Sequence, residues 1–216
     1  MNRHKFERIT HEVEATEAIG AGFATLLRPG DVVLLDGELG AGKTSFVRGM
    51  TMGLGVTKGM ASSPTFVLIN VYPTSHEHAI DALIHVDAYR VKDIGELENM
   101  GWDNLFDPAT HAPRGKRAAV IEWPSHIEAA LPDSFRCATV RLSHVEASAR
   151  MIQFNLPAAW GEREGLEALK TRPPVRCTVS KKWVPPTARS YPFVDDRARN
   201  ADLHQWIVDP DEKKRG

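Results

Sequence analysis

Apolar residues fall along this chain in two patterns. Nearly continuous short runs, Val32-Val33-Leu34-Leu35, Phe66-Val67-Leu68-Ile69, Leu83-Ile84-His85-Val86 and Ala118-Ala119-Val120-Ile121, predict strands. Arg136–Leu142 and Arg150–Leu156 predict two more, the second with Ile152, Phe154 and Leu156 on one face. Phe6–Val13 predicts a short strand or an extended lead-in. Between these runs the spacing becomes helical. Ile19, Phe23, Leu26 and Leu27 form one face of a helix that Thr16 can cap and that ends near Arg28-Pro29-Gly30. Phe46, Val47 and Met50 form the face of another, stopped at Gly53-Leu54-Gly55. Shorter helices are predicted over Val91–Met100, Trp102–Phe106, residues 125–131 and Trp160–Leu169. The strands 66–72 and 83–87 can pair as a hairpin across a polar loop. Strands alternating with helices predict a three-layer α/β fold.

Composition narrows the class without changing that picture. The 216 residues suffice for one substantial α/β domain with an appendage, or for two small domains. Hydrophobic content of 42% and charged content of 25% are those of a globular protein, and a net charge of −1 gives no global reason to expect nucleic-acid binding. Cys137 and Cys177 are far apart and in no metal- or redox-type spacing, which fits a reducing compartment. No run is long enough for a membrane span and the N-terminus lacks the apolar core of a signal peptide, so a cytoplasmic protein is expected. The expected division is a nucleotide-binding domain over residues 1–158 and an extension over 159–216, a helix followed by a basic arm rich in proline and aromatic residues. That arm carries Lys170, Arg172, Arg176, Lys181, Lys182 and Arg189 with Trp183, Tyr191 and Phe193. It can contact RNA, pack on the domain, or be a disordered tail.

The chemistry concentrates after the Val32–Leu35 run. Gly37-Glu38-Leu39-Gly40-Ala41-Gly42-Lys43-Thr44 fits G-x-x-x-x-G-K-[ST], the phosphate-cradling loop of nucleotide hydrolases. Glycines let successive N–H groups point inward at phosphate oxygens, and the helix that follows, opening with Ser45 and Phe46, adds the positive end of its dipole. Lys43 can reach the β- and γ-phosphates and the Thr44 hydroxyl can ligate Mg²⁺. A hydrolytic site needs an acid at the end of a neighbouring strand; Asp87 and Glu122 both qualify. Arg90 can neutralise transition-state charge or pair with Asp87 or Asp93, whereas Arg48 reads as a surface or nucleotide-flanking residue. Ser62, Ser63 and Thr65 form either a γ-phosphate-sensing switch or a plain turn. His76-Glu77-His78 with His85 superficially suggests a metal cluster, but such histidines in a polar loop are more often solvated. Trp123 can stack on a base or fill the core.

Four segments together resemble one family: Gly37–Thr44, Ser63-Pro64-Thr65-Phe66, His85-Val86-Asp87-Ala88-Tyr89-Arg90 and Ile121-Glu122-Trp123-Pro124. In order and approximate spacing they are similar to the TsaE (YjeE) family, bacterial ATPases of tRNA threonylcarbamoyladenosine synthesis, over roughly residues 10–157. The resemblance implies a P-loop nucleoside triphosphate hydrolase fold around a central mixed β-sheet, with ATP and Mg²⁺ as cofactors. It implies TsaD-type and TsaB-type partner subunits and an indirect relation to tRNA, whose adenosine beside the anticodon is modified in ANN-reading tRNAs. Carried over by position, Lys43, Asp87 and Glu122 are catalytic. Thr44, Asp87 and Glu122 serve the metal. The nucleotide is held by Gly37, Glu38, Leu39, Gly40, Ala41, Gly42, Lys43, Thr44 and Ser45, with Thr16 and Trp123 towards its base. Ser63-Pro64-Thr65 becomes the switch. The family commonly has a large aliphatic where this chain has Ala88, and its shorter members lack anything like the segment after about residue 160. Two other classes remain open, a small-molecule kinase and a nucleotide-gated adaptor without essential hydrolysis. A GTPase is disfavoured because no Asn-Lys-x-Asp motif occurs.

Overall fold

The computed structural model describes residues 3–56, 69–75, 77–91, 94–133 and 136–171. A seven-stranded sheet forms its centre, in the order β1-β7-β6-β2-β5-β4-β3. The strands are β1 (His4–Thr10), β2 (Val32–Gly37), β3 (Ile69–Pro73), β4 (Ala82–Asp87), β5 (Arg117–Glu122), β6 (Ala138–His144) and β7 (Arg150–Leu156). β2 pairs parallel with β5 and β6, and β4 pairs parallel with β5. The remaining pairs, β1/β7, β6/β7 and β3/β4, are antiparallel, so the sheet is mixed and the expected hairpin of β3 with β4 forms. The parallel centre is buried on both faces, which is why β2, β4 and β5 read as continuous apolar runs rather than alternating ones.

Helices α1 (Val13–Ala24) and α2 (Lys43–Gly53) cover one face. Phe23, Phe46 and Met50 there pack with Leu35, Val120 and Val140 of the sheet. On the other face α3 (Ile94–Asn99), α4 (Trp102–Leu105), Ile127, Ala130 and Cys137 pack on Leu34, Ile84, Ala119 and Ile121. The fold is therefore a three-layer α/β sandwich with the architecture expected of a phosphate-loop protein.

Four expectations change. Thr16 does not cap α1. The helix starts at Val13 with Glu12 in the cap position, and Thr16, buried, exchanges a 2.8 Å hydrogen bond with the Thr10 hydroxyl, which fastens α1 to the end of β1. The helix expected over 125–131 is two 3₁₀ turns, Pro124–His126 and Glu128–Ala130. The helix expected from Trp160 is interrupted by Gly165 in a left-handed conformation (φ +92°), leaving a 3₁₀ turn Ala158–Glu162 and α5 (Leu166–Thr171). Lastly, residues 158–171 pack with the core rather than standing off it. Trp160, Leu166 and Leu169 join the α1/α2 cluster, and Trp160 stacks on Phe23 at 5.4 Å.

The first compact unit runs Met1–Cys177, and all of the second, Thr178–Gly216, lies outside the described residues. So do the Ser62-Ser63-Pro64-Thr65 segment, Phe66–Leu68, His76, Asp93 and Cys177. Among the described residues, no helix is long and apolar enough to cross a membrane.

Candidate nucleotide site

β2, β4, β5 and β6 run parallel, so their C-terminal ends share one edge of the sheet, and the glycine loop leaves β2 at that edge. Gly37, Gly40 and Gly42 all have left-handed φ values, +144°, +77° and +104°. A Cβ on Gly37 would also overlap the carbonyl oxygen of Leu142 on β6, so this position needs glycine twice over. Asp36 steadies the turn: Oδ1 accepts the Gly37 N–H at 2.8 Å and Oδ2 accepts from Arg141 Nε at 3.0 Å. Glu38, Leu39 and Gly40 are exposed at the rim, Ala41 is buried, and Thr44 and Ser45 lie in the first turn of α2. The Gly37 and Ala41 N–H groups are bonded within the loop; the other amides of the loop and of the α2 N-terminus make this end of the helix a site suited to phosphate.

Lys43 lies beneath that place, 5% exposed. Its Nζ donates to the carbonyls of Gly37 (2.7 Å) and Glu38 (3.0 Å) and sits 3.8 Å from the centroid of the Trp123 ring. Burial lowers its pKa, opposed by the carboxylates of Glu122, Asp87 and Asp36. All three acids therefore lie close enough to act on the Lys43 amine.

Asp87 and Glu122 end adjacent parallel strands in register with one another. Side chains in register share a face, here the face that carries α2, which brings both carboxylates towards Lys43. Glu122 is 4% exposed, whereas Asp87 is half-buried and accepts the Tyr89 N–H at 3.1 Å. Hard oxygen donors from Thr44, Asp87 and Glu122 suit Mg²⁺, which takes one or two carboxylates and completes its shell with phosphate and water. Among the described residues, no three His, Cys, Asp or Glu side chains form a ready-made cage, so such an ion would depend on the nucleotide's own oxygens.

Several placements differ from the sequence expectations or were not foreseen. Trp123 adopts φ +57°, unusual for a bulky residue, and its ring lies over Lys43 with Tyr89 5.0 Å away. It is packed against the lysine, at the phosphate end of the site. Thr16 lies behind the loop, its methyl 3.9 Å from where a Gly42 Cβ would stand. Arg48 pairs with Glu17 on α1, away from the loop, and Arg90 is exposed in the 3₁₀ turn Ala88–Arg90. His85 is far from a solvated cluster. It is buried, and its Nε2 lies 3.0 Å from Glu122 Oε1. A signal for it existed, since an imidazole inside Leu83-Ile84-His85-Val86 needs a buried polar partner.

Comparison with known proteins identifies the family. A family model described as "Threonylcarbamoyl adenosine biosynthesis protein TsaE" matches residues 10–152. The chain is 40% identical over 119 residues to the tRNA threonylcarbamoyladenosine biosynthesis protein TsaE of Bacillus subtilis, covering 55% of this chain and 66% of that one. It is 48% identical over 105 residues to the protein of the same name from Streptomyces coelicolor, covering 49% of this chain and 64% of that one. The matches thus span just under two thirds of these curated relatives. The crystal structure of Bacillus subtilis YdiB superposes with a TM-score of 0.56 at 27% identity, covering 78% of this chain and 96% of that chain. With its phosphate loop, its mixed sheet and a family match across well over half its length, the chain belongs to the TsaE family of tRNA threonylcarbamoyladenosine biosynthesis proteins.

Proposed function

We propose that this protein is a Mg²⁺-dependent ATPase that works in the cytoplasm as a subunit in tRNA threonylcarbamoylation, with TsaD-type and TsaB-type partners. The observation that carries the reading is the buried Lys43 ammonium, set under the glycine loop and flanked by Glu122 and Asp87. A lysine alone would bind any anion; a lysine between two strand-end acids suits a triphosphate bound together with a divalent cation. In this reading the loop N–H groups and the α2 N-terminus hold the phosphates. Lys43 exchanges its bonds to the Gly37 and Glu38 carbonyls for phosphate oxygens. Thr44, Glu122 and Asp87 hold Mg²⁺ or orient the attacking water, and the ion, when bound, supplies charge neutralisation. Trp123 excludes water from the lysine side of the site.

ATP turnover is expected to be slow for the isolated protein and faster with the partner subunits. Lys43→Ala and Glu122→Ala should each reduce it by at least ~10²-fold, on the scale of losing one charge-stabilising group. Phosphate release measured with and without the partners tests this; undiminished turnover in both variants rules the site out. Robust phosphoryl transfer to a metabolite would favour a kinase instead. Pull-down with TsaD- and TsaB-type subunits, with and without ATP, tests the assembly, and failure to associate in any nucleotide state would leave a generic ATPase. Direct tRNA contact by the basic segment predicts that deleting residues 170–216 lowers the slope of tRNA affinity against salt; an unchanged slope rejects it.

A further inference from the structure

Glu122 has its carboxylate among apolar strands, and a glutamate placed there by backbone alone would retain several rotamers. One neighbour removes that freedom. His85 lies on β4 two residues before Asp87, on the same sheet face as Glu122, and pairs across the ladder with Val120, one rung below it. From there its ring reaches diagonally to Glu122, Nε2 to Oε1 at 3.0 Å, with both side chains almost wholly buried (2% and 5% exposed). The ring of Tyr72, on β3, stacks with the imidazole, centroids 6.2 Å apart.

The second imidazole nitrogen shows which way the bond runs. His85 Nδ1 is buried and has no hydrogen-bond partner among the described residues. If Nδ1 carried the proton, a buried N–H would go unpaired and the Nε2 lone pair would face a carboxylate oxygen, acceptor against acceptor. With the proton on Nε2, the histidine donates to Oε1 and only a lone pair is left unpartnered at Nδ1.

Resting on the ATPase reading above, we propose that His85 is a positioning residue for Glu122: as the Nε2–H tautomer it fixes Oε1 and so holds the carboxylate towards the cleft beside Lys43. Glu122 is the foremost of the carboxylates acting on that lysine, which fits a carboxylate already aimed before nucleotide arrives. Its second oxygen is then available to the metal or water without a rotamer search, which is preorganisation of the kind that supports metal-ligating side chains elsewhere.

The test has a spectroscopic arm and a kinetic arm. On uniformly ¹⁵N-labelled protein at neutral pH, without nucleotide or metal, long-range proton–nitrogen correlation should show His85 with a protonated Nε2 and a bare Nδ1. An Nδ1–H tautomer overturns the proposal. In turnover, His85→Leu should lower kcat by about 10- to 100-fold and raise the Mg²⁺ concentration needed for half-maximal rate, with little change in the affinity for metal-free ATP. His85→Gln, whose amide N–H can occupy the place of Nε2–H, should recover most of the loss. In a Glu122→Gln background, His85→Leu should add almost nothing. A general packing role would instead give equal losses in both backgrounds and no rescue by glutamine, and either result refutes the proposal. Melting temperatures of each variant separate lost folding from lost positioning. Wild-type turnover, measured alongside, tests the ATPase reading separately, because the tautomer is read on the resting protein.

Discussion

At the scale of single residues, burial decides what the polar side chains can do. Lys43 is held in a desolvated place by two carbonyls and a ring face, with three carboxylates opposing the lowering of its pKa by burial, so its amine is aimed before any ligand arrives. Cys137 shows the opposite outcome. It is fully buried beside the carbonyls of Pro132 and Asp133, and burial pushes its thiol up to about 11, against the pull of Arg3 and Arg136. In the unfolded chain the proton leaves near the ordinary value of 9.0, so the thiol's contribution is intact below pH 9 and is lost as pH rises towards 11. Between pH 8 and pH 11 the wild type should lose about 2 kcal/mol more stability in urea than Cys137→Ala does. Equal losses would show that the thiol does not sense burial in this way.

Among the elements, the pairing of α1 with α2 matters most to the site, because α2 begins with Lys43 and Thr44. The two helices touch through backbone. A Cβ on Gly20 would overlap the carbonyl oxygen of Phe46, one on Gly49 that of Glu17, and one on Gly53 would stand 2.5 Å from that of Ala21. No side chain can yield at these contacts, so adding a methyl must push the helices apart. Gly49→Ala should therefore cost about 1–3 kcal/mol in stability and weaken nucleotide binding, since α2 moves relative to the loop. Chemical denaturation read with a nucleotide titration checks both. A variant as stable and as tight-binding as wild type would show that the helices have room. The sheet contributes in a different way: the in-register ends of β4 and β5 put Asp87 and Glu122 side by side, so an error of one residue in register would turn one of them to the opposite face.

Over the whole molecule, the chain after β7 returns to brace the helices that carry the site. Trp160 stacks on Phe23 of α1, and Arg163 binds Asp31, just before β2, at 3.0 Å while its guanidinium lies 3.9 Å over the Trp160 ring. Trp160→Ala should destabilise the protein by about 3–5 kcal/mol, and Arg163→Ala by about 1–3 kcal/mol, because Asp31 is left partly buried with the Arg28 N–H in place of a counter-charge. Urea unfolding of the two variants gives the values directly. Losses under about 0.5 kcal/mol in both would mean that this segment is an appendage after all. The local part of this protein was legible in its residues: the buried strand runs, the helical faces, the glycine loop and the acids that end β4 and β5. Each depends on neighbours within a few positions, where periodicity and backbone freedom act. Tertiary structure alone decided that His85 meets Glu122, that Trp123 covers Lys43, that Thr16 bonds Thr10 instead of capping a helix, and that Trp160 belongs to the core. Those contacts join residues far apart in the chain, or side chains whose direction is set by packing, and nothing in the spacing of residues encodes which distant partner satisfies a buried imidazole or indole.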